Sequence, residues 1–300
     1  MPVFVMPDTA RIVIPVMGAG GGSGRSTVAG MLAACLTPAA DTVVLDIAPR
    51  LASPWPAWQI EPGAGLASLP PNERTTSARV RAAASRCEGP DGDWQVLTDQ
   101  REWSTPPLDL PAAPAAWYQL AAAGGWQAVV ADTVHPVAHD IVAARNGNRA
   151  SLSADWCALP YAVPVLTAAA TGPGVAGLQM ALRAATAEGL PVRRAVVTLT
   201  GLGEGRLAAP VRAAATMLQG QVHSVVHIPY DPHVRAYGLA DARRLTARRT
   251  REALAELAGA VIASTHDTWG QPLPAAPVPA AAPRPGALPA AAFPVLASAL

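Results

Sequence analysis

The sequence predicts a doubly wound α/β domain built on a mainly parallel sheet. Three observations carry that expectation. Short apolar runs rich in Val, Ile and Ala recur along the chain, with helical stretches between them. Most of these runs are apolar at every position, which suits strands covered on both faces. A glycine-rich turn follows the first run and opens a helix, where open α/β sheets hold their ligands.

Taken in order, residues 11–17 (RIVIPVM) read as a buried strand that ends in the glycine turn, and residues 26–36 as a helix. Residues 42–45 form a second short strand ending at Asp46. Residues 52–109 are rich in Pro, Trp and polar side chains and are the least regular part. Residues 127–131 (QAVVA) are another buried strand, ending at Asp132. Further strands are expected at 162–168, 194–199 and 222–228, with helices at 175–188, 207–218 and 246–262. From Trp269 the texture changes, and Pro and Ala dominate residues 271–294. Such a segment favours an extended, disordered tail that does not pack on the domain. The division expected is a leader at 1–10, the α/β domain at 11–268 and the tail at 269–300.

Composition bounds the function classes. Hydrophobic residues make up 51% and charged residues 14% of 300, enough for a large core. No run of 18 apolar residues is free of Gly, Pro or charge, so no spanning helix is expected. The first ten residues carry no Arg ahead of an apolar segment, so a secretory signal is not expected either, and a cytoplasmic location is. A net charge of +1 predicts neither a nucleic-acid coat nor an acidic tail. Every basic residue is Arg, with no Lys in the chain. Cys35, Cys87 and Cys157 lie far apart and form no CxxC pair, which points away from zinc or iron–sulfur centres and towards reduced cysteines.

The chemistry centres on Gly18-Ala-Gly-Gly-Gly-Ser-Gly-Arg-Ser-Thr27, between strand and helix. Glycines let backbone N–H groups converge on phosphate oxygens, and the helix N-terminus adds a favourable dipole. Ser26, after the basic residue, is placed to ligate Mg²⁺. The strict pattern GxxxxGK[ST] fails at Ala19 and at Arg25. A dinucleotide fingerprint meets Ser23 where Gly or Ala belongs, though Asp46 sits where a ribose-binding acid would. A nucleophile elbow around Ser23 meets Arg25 at its last position.

At these residues the chain resembles the MinD/ParA family, whose deviant Walker A motif reads KGGxGK[ST][ST]. Residues 20–27 (GGGSGRST) lie on that pattern. Residues 43–50 (VVLDIAPR) are similar to the segment that usually ends DxDPQ, and 128–136 (AVVADTVHP) to the Walker B strand with Asp132 as its acid. Residues 227–231 (HIPYD) resemble the segment whose backbone holds adenine, with Pro229 and Asp231, and 195–201 a strand ending in a base-reading residue, here Thr198. The resemblance covers residues 11 to 264. It implies ATP or ADP on Gly21, Gly22, Ser23, Gly24, Arg25, Ser26 and Thr27, Mg²⁺ between Ser26 and Asp132, Asp46 as a catalytic acid nearby, and a homodimer.

The departures concern hydrolysis. The family's signature lysine, which reaches across a dimer to the partner's phosphate, is replaced by Gly20. The ordinary P-loop lysine is Arg25, and the second acid of DxD is Ala48. Phosphoryl transfer needs positioned positive charge and an oriented water, so turnover is expected to be slow while binding survives. The reading is an ATP-binding switch with weak or absent hydrolysis, acting in partition, division, conjugation or secretion. The alternatives are a catalytically dead scaffold for such a machine and, further off, an NAD(P)-binding protein resting on Asp46.

Three other groups of residues carry candidate roles. His135 and His139, four apart, suit a metal pair, but no third ligand is evident and a structural or surface role is favoured. Arg243, Arg244, Arg248, Arg249 and Arg251 offer non-specific DNA contacts or a solvated helical face, partly balanced by Asp241, Glu252 and Glu256. Trp55 and Trp58 are either exposed anchors for a protein partner or packing for a Pro-rich loop. The tail is a second candidate for partner docking. Its end, residues 290–300, has no basic residue and is interrupted by Pro294, so stable membrane anchoring is not expected.

Overall fold

The computed structural model describes residues 6–69, 75–240 and 247–279. Eight strands form one sheet: β1 (Ile12–Gly18), β2 (Thr42–Asp46), β3 (Ser85–Gly89), β4 (Gly92–Leu97), β5 (Ala128–Pro136), β6 (Val165–Ala169), β7 (Val196–Thr200) and β8 (Ser224–Ile228). Their order is β3-β4-β2-β5-β1-β6-β7-β8, and every neighbouring pair is parallel except β3 with β4. The doubly wound, mainly parallel sheet expected from the apolar runs is therefore present. β1 and β2 are buried at every residue, as strands covered on both faces must be.

Pro15 sits inside β1, where a missing N–H normally breaks a ladder. The fold places it at a gap. β1 pairs with β6 at Val16 to Gly18, and the next contact on that side is the isolated bridge from Val13 to Ala162. Pro15 lies between the two, while its β5 side keeps register with Ala131.

Ten helices are described. α1 (Arg25–Leu36) and the 22-residue α10 (Arg248–Trp269) cover one face of the sheet. α4 (Pro114–Gly124), α5 (Val137–Asn146), α6 (Leu152–Cys157), α7 (Gly172–Ala187) and α8 (Ala209–Gln219) bury their apolar residues on the other. α2 (Trp55–Trp58), α3 (Ser77–Ala83) and α9 (Pro232–Tyr237) are short. Among the described residues, no helix is long and apolar enough to cross a membrane.

Two expectations change. The irregular stretch 52–109 contains an antiparallel hairpin, β3 and β4, turned at Gly89-Pro90-Asp91-Gly92. Ahead of β1, Met6 is buried in the core and its N–H donates to the carbonyl of Ala39 at 2.8 Å. The described start of the tail also packs. Leu273 is buried, the Ala276 N–H donates to the carbonyl of Thr9 at 2.8 Å, and the Tyr161 hydroxyl donates to the carbonyl of Ala275 at 3.3 Å. Pro and Ala discourage regular structure in such a segment, yet one leucine suffices to hold it down. The rest of the tail, 280–300, lies outside the described residues.

Candidate functional site

The parallel register brings the motifs to one edge. β1 lies beside β5, and Asp46 is the register partner of Asp132 on the neighbouring strand. The glycine loop leaves β1 at that same carboxyl edge and enters α1.

The loop is shaped by two glycines in the left-handed region, Gly22 (φ 66°) and Gly24 (φ 81°), where a side chain would be strained. Gly24 is the N-cap of α1 and supplies no side-chain cap, so the orphan N–H groups of the first turn are left for another acceptor. Gly21 and Gly22 are exposed. The loop is gripped from β6 and β7: the Thr167 hydroxyl donates to Ser23 Oγ at 2.9 Å, and the Thr200 hydroxyl to the Ser23 carbonyl at 3.1 Å. Ser23 is buried, so its hydroxyl holds the loop from inside.

Ser26 and Asp132 meet as expected, the Ser26 hydroxyl hydrogen-bonding the carboxylate. Asp132 is only 2% exposed. Its Oδ2 also accepts the indole N–H of Trp55 at 2.9 Å. Burial raises its pKa, while Ser26, Trp55 and the Arg25 charge oppose the rise. The Arg25 guanidinium donates to the carbonyl of Thr133, the residue after Asp132 in β5. Burial lowers the Arg25 pKa and the nearby Asp132 raises it. The cation at the P-loop lysine position thus lies against the acid strand.

Asp46 is more closely held. Ser53 Oγ and Thr98 Oγ1 donate to its Oδ2 at 2.6 and 2.5 Å, and the Ala48 N–H donates to Oδ1 at 3.1 Å. Burial pushes its pKa up to about 7, with the hydroxyl bonds opposing and the Asp132 charge adding to the rise. At 1% exposure and with both oxygens engaged, Asp46 has no atom to offer a ribose, which removes the basis of the dinucleotide reading.

The remaining site residues fall as follows. Thr27 is half-buried in the first turn of α1. Thr198 is wholly buried inside β7 and its hydroxyl has no partner among the described residues, whereas Thr200, the last residue of that strand, reaches the loop. Pro229 is half-buried. Asp231 is a helix cap: Oδ1 accepts from His233 and Val234 at 3.0 and 3.3 Å, and Oδ2 from the Ala247 N–H and Thr250 Oγ1 at 2.9 and 3.0 Å. Those bonds hold its pKa below the usual carboxylate value against the opposing effect of burial.

Trp55 is fully buried, edge-on to Trp58 at 5.3 Å and to Trp94 at 5.7 Å, and Trp58 is half-buried against the same cluster. The exposed-anchor reading of this pair is therefore corrected to the packing one. His135 and His139 are exposed, and no group of three metal-ligating side chains occurs among the described residues. Arg248, Arg249 and Arg251 are exposed on α10, Arg248 paired with Glu252 at 2.8 Å, and Arg243 and Arg244 lie outside the described residues.

Sequence reasoning did not find Ser53, Trp55 and Thr98 as partners of the acids, nor Thr167 and Thr200 as the grip on the loop. Contacts across 52 and 77 residues leave no local pattern to read.

No family model matches the chain, and no curated protein does. Solved structures do. A ParA family ATPase from Chlorobium tepidum aligns over 83% of this chain and 98% of its own, with 13% identity and a TM-score of 0.53. The MinD cell division protein of Aquifex aeolicus aligns over 83% and 97%, with 12% identity and a TM-score of 0.53. The cell division ATPase MinD of Pyrococcus furiosus aligns over 84% and 98%, with 14% identity and a TM-score of 0.50. With its strand order, its loop between β1 and α1 and its two acids on adjoining strands, the chain has the MinD/ParA-type P-loop ATPase fold.

Proposed function

We propose that this protein is a nucleotide-dependent switch that binds ATP with Mg²⁺ and hydrolyses it very slowly. One observation carries the reading: the uncapped start of α1 lies directly beside the Ser26–Asp132 pair. Free N–H groups and a helix dipole take phosphate oxygens. A hydroxyl next to a carboxylate takes a hydrated Mg²⁺. These residues fit the nucleotide: Gly21, Gly22, Ser23, Gly24 and Thr27 supply backbone, Arg25 a cation, Ser26 and Asp132 the metal side, and the Pro229 segment the base side.

Slow turnover follows from what is missing and from what is sealed. Gly20 and Ala48 stand where the fold's ATPases carry a lysine and an acid. Asp46, the remaining acid, is enclosed by Ser53 and Thr98. Nucleotide would favour a homodimer in the cytoplasm, and the output would be the positioning of a partner in partition, division, conjugation or secretion. A second reading has its own support. The Trp55 N–H already occupies one oxygen of Asp132, as suits a scaffold that keeps the fold without nucleotide.

Calorimetric titration with ATP, ADP and NAD, each with and without Mg²⁺, tests the proposal. The switch reading expects ATP and ADP to bind, NAD not to, and Ser26→Ala to weaken the Mg²⁺-dependent part of ATP affinity by about tenfold, the worth of one lost contact to the ion. No binding of either adenine nucleotide would leave the scaffold.

A further inference from the structure

The acid beside Ser26 is served by a residue that lies outside the motif segments 20–27, 43–50 and 128–136. Asp132 is 2% exposed and holds two donors, the Ser26 hydroxyl and the Trp55 indole N–H, the latter at 2.9 Å from Oδ2. An ionised carboxylate has about four acceptor sites, so these bonds leave some free for the waters of a hydrated Mg²⁺. The indole therefore does not bar a metal from Asp132.

What the N–H does is set direction. A donor fixed on one oxygen stops the carboxylate from turning about its Cβ–Cγ bond, and so aims the acceptor sites that remain. The second acid cannot share the work. Asp46, the register partner of Asp132, spends both oxygens on Ser53, Thr98 and the Ala48 N–H.

Trp55 is itself held from several sides. Its ring is wholly buried and edge-on to Trp58 and Trp94. α1 makes room for it at Gly30, in the helix interior: a Cβ there would lie 3.0 Å from Trp55 Cη2 and 3.2 Å from Cζ3. Glycine weakens a helix interior, so its presence needs a reason, and the indole, with Leu239, supplies one. The backbone is tied as well. The Trp55 main-chain N–H donates to Ser53 Oγ at 3.2 Å, and Ser53 Oγ donates to Asp46 Oδ2 at 2.6 Å. Asp46 thus reaches Asp132 through Ser53 and Trp55.

We infer that Trp55 is a positioning residue for the metal side of the nucleotide site, its indole N–H holding the Asp132 carboxylate for Ser26 and a hydrated Mg²⁺, with Asp46 and Ser53 holding Trp55 in turn. The inference rests on the switch reading, because it concerns the same Ser26–Asp132 pair. It gives Asp46 a part other than the catalytic acid its motif implies: the side chain anchors the segment that carries the indole.

The test is calorimetric titration of the full chain with ATP, with and without Mg²⁺, read as the gain in affinity that Mg²⁺ brings. Trp55 is replaced by benzothienylalanine, which keeps the shape of the indole with sulfur in place of N–H, and separately by Phe. Each should lower the Mg²⁺ gain about tenfold or more, the usual loss when a metal ligand is deprived of its outer partner, and change ATP affinity without Mg²⁺ by less than about threefold. Ser53→Ala should lower the gain by about threefold, the worth of one neutral hydrogen bond, and Ser53→Thr, which keeps the hydroxyl, should restore it. A wild type that gains from Mg²⁺ beside a benzothienylalanine protein that gains as much would overturn the inference and leave the switch reading standing, as would an equal loss with and without Mg²⁺. A wild type that binds no ATP, or gains nothing from Mg²⁺, would overturn both.

Discussion

The carboxyl edge of the sheet has two halves, and they are built oppositely. At the glycine half, Gly21 and Gly22 are exposed and the first turn of α1 has no cap. At the acid half, Asp46 and Asp132 are 1% and 2% exposed. One short segment, 53–55, spans both acids, with Ser53 on Asp46 and Trp55 on Asp132. The glycine surface, proposed to hold phosphate, is open and the acid surface beside it is closed, though they are neighbours at one edge of the sheet. The contrast fits the sequence departures, since the loop keeps its backbone chemistry and loses its lysines, and the acid segment loses Ala48's usual carboxylate. On the proposed reading, binding would draw on backbone, which substitutions hardly touch, and turnover on side chains, which these substitutions remove.

The largest effect should come from breaking the closed half. Trp55→Ala removes a fully buried indole that packs on Trp58 and Trp94, and should destabilise the fold by about 3–5 kcal/mol in denaturant titration. Trp55→Phe keeps most of the packing but leaves Asp132 without its indole donor, at a cost of about 1–3 kcal/mol. Near-neutral outcomes for both would mean that the segment does not seal the acids.

The pH dependence sharpens the same half. The Asp46 pKa is raised from 3.8 to about 7, so the folded state holds a proton that the unfolded state has lost. Ionisation of Asp46 therefore costs stability, which falls as pH rises from about 4 to about 7 and levels off above. Asp132, also raised by burial, acts with the same sign. Asp46→Asn removes the Asp46 share, and the Ser53 and Thr98 hydroxyls can rotate to suit an amide. Melting curves at pH 5 and pH 8 should show a fall for the wild type that is smaller in Asp46→Asn by about 1–3 kcal/mol. Parallel pH profiles would place the Asp46 carboxylate in a far wetter site than this one.

Smaller effects test the packing around the edge. Asp231→Ala loses the cap of α9 and the bonds to Ala247 and Thr250 at the start of α10, for about 1–2 kcal/mol. Truncation after Gly270 exposes the Leu273 site and should cost about 1–2 kcal/mol, seen as a modest drop in melting temperature with nucleotide affinity unchanged. An unchanged melting temperature would restore the view of the whole tail as a detached appendage.

How much was legible follows from the range of each interaction. β1, β2, β5, β6, β7 and β8 were readable because each is a short apolar run, and central parallel strands carry that pattern in sequence alone. The β3–β4 hairpin is masked in the sequence by Arg86 and Glu88, which interrupt its apolar pattern, although Gly89-Pro90-Asp91-Gly92 is a turn signal. Asp231 followed by Pro232 likewise spells a helix start, and the capping role was there to be read. The loop and both acids were readable from order and spacing. The side chains that close over the acids were not, since Trp55 on Asp132 and Thr98 on Asp46 depend on strand order and not on local sequence.

The most direct test is to measure ATP binding and single-turnover hydrolysis with Mg²⁺, in the wild type and in the double variant Gly20→Lys/Ala48→Asp. Among the described residues, nothing lies within 4 Å of a Cβ placed at Gly20, so a side chain can start there without a clash. Each lost contact to the transferring phosphoryl group costs about 2–4 kcal/mol of barrier, and two such losses slow the reaction by roughly three to six powers of ten. The account predicts that both proteins bind ATP with similar affinity and that the double variant turns it over at least a hundredfold faster, a barrier lower by roughly 2.7 kcal/mol or more. A wild type that hydrolyses ATP as fast as the double variant, or that binds no ATP, would contradict it.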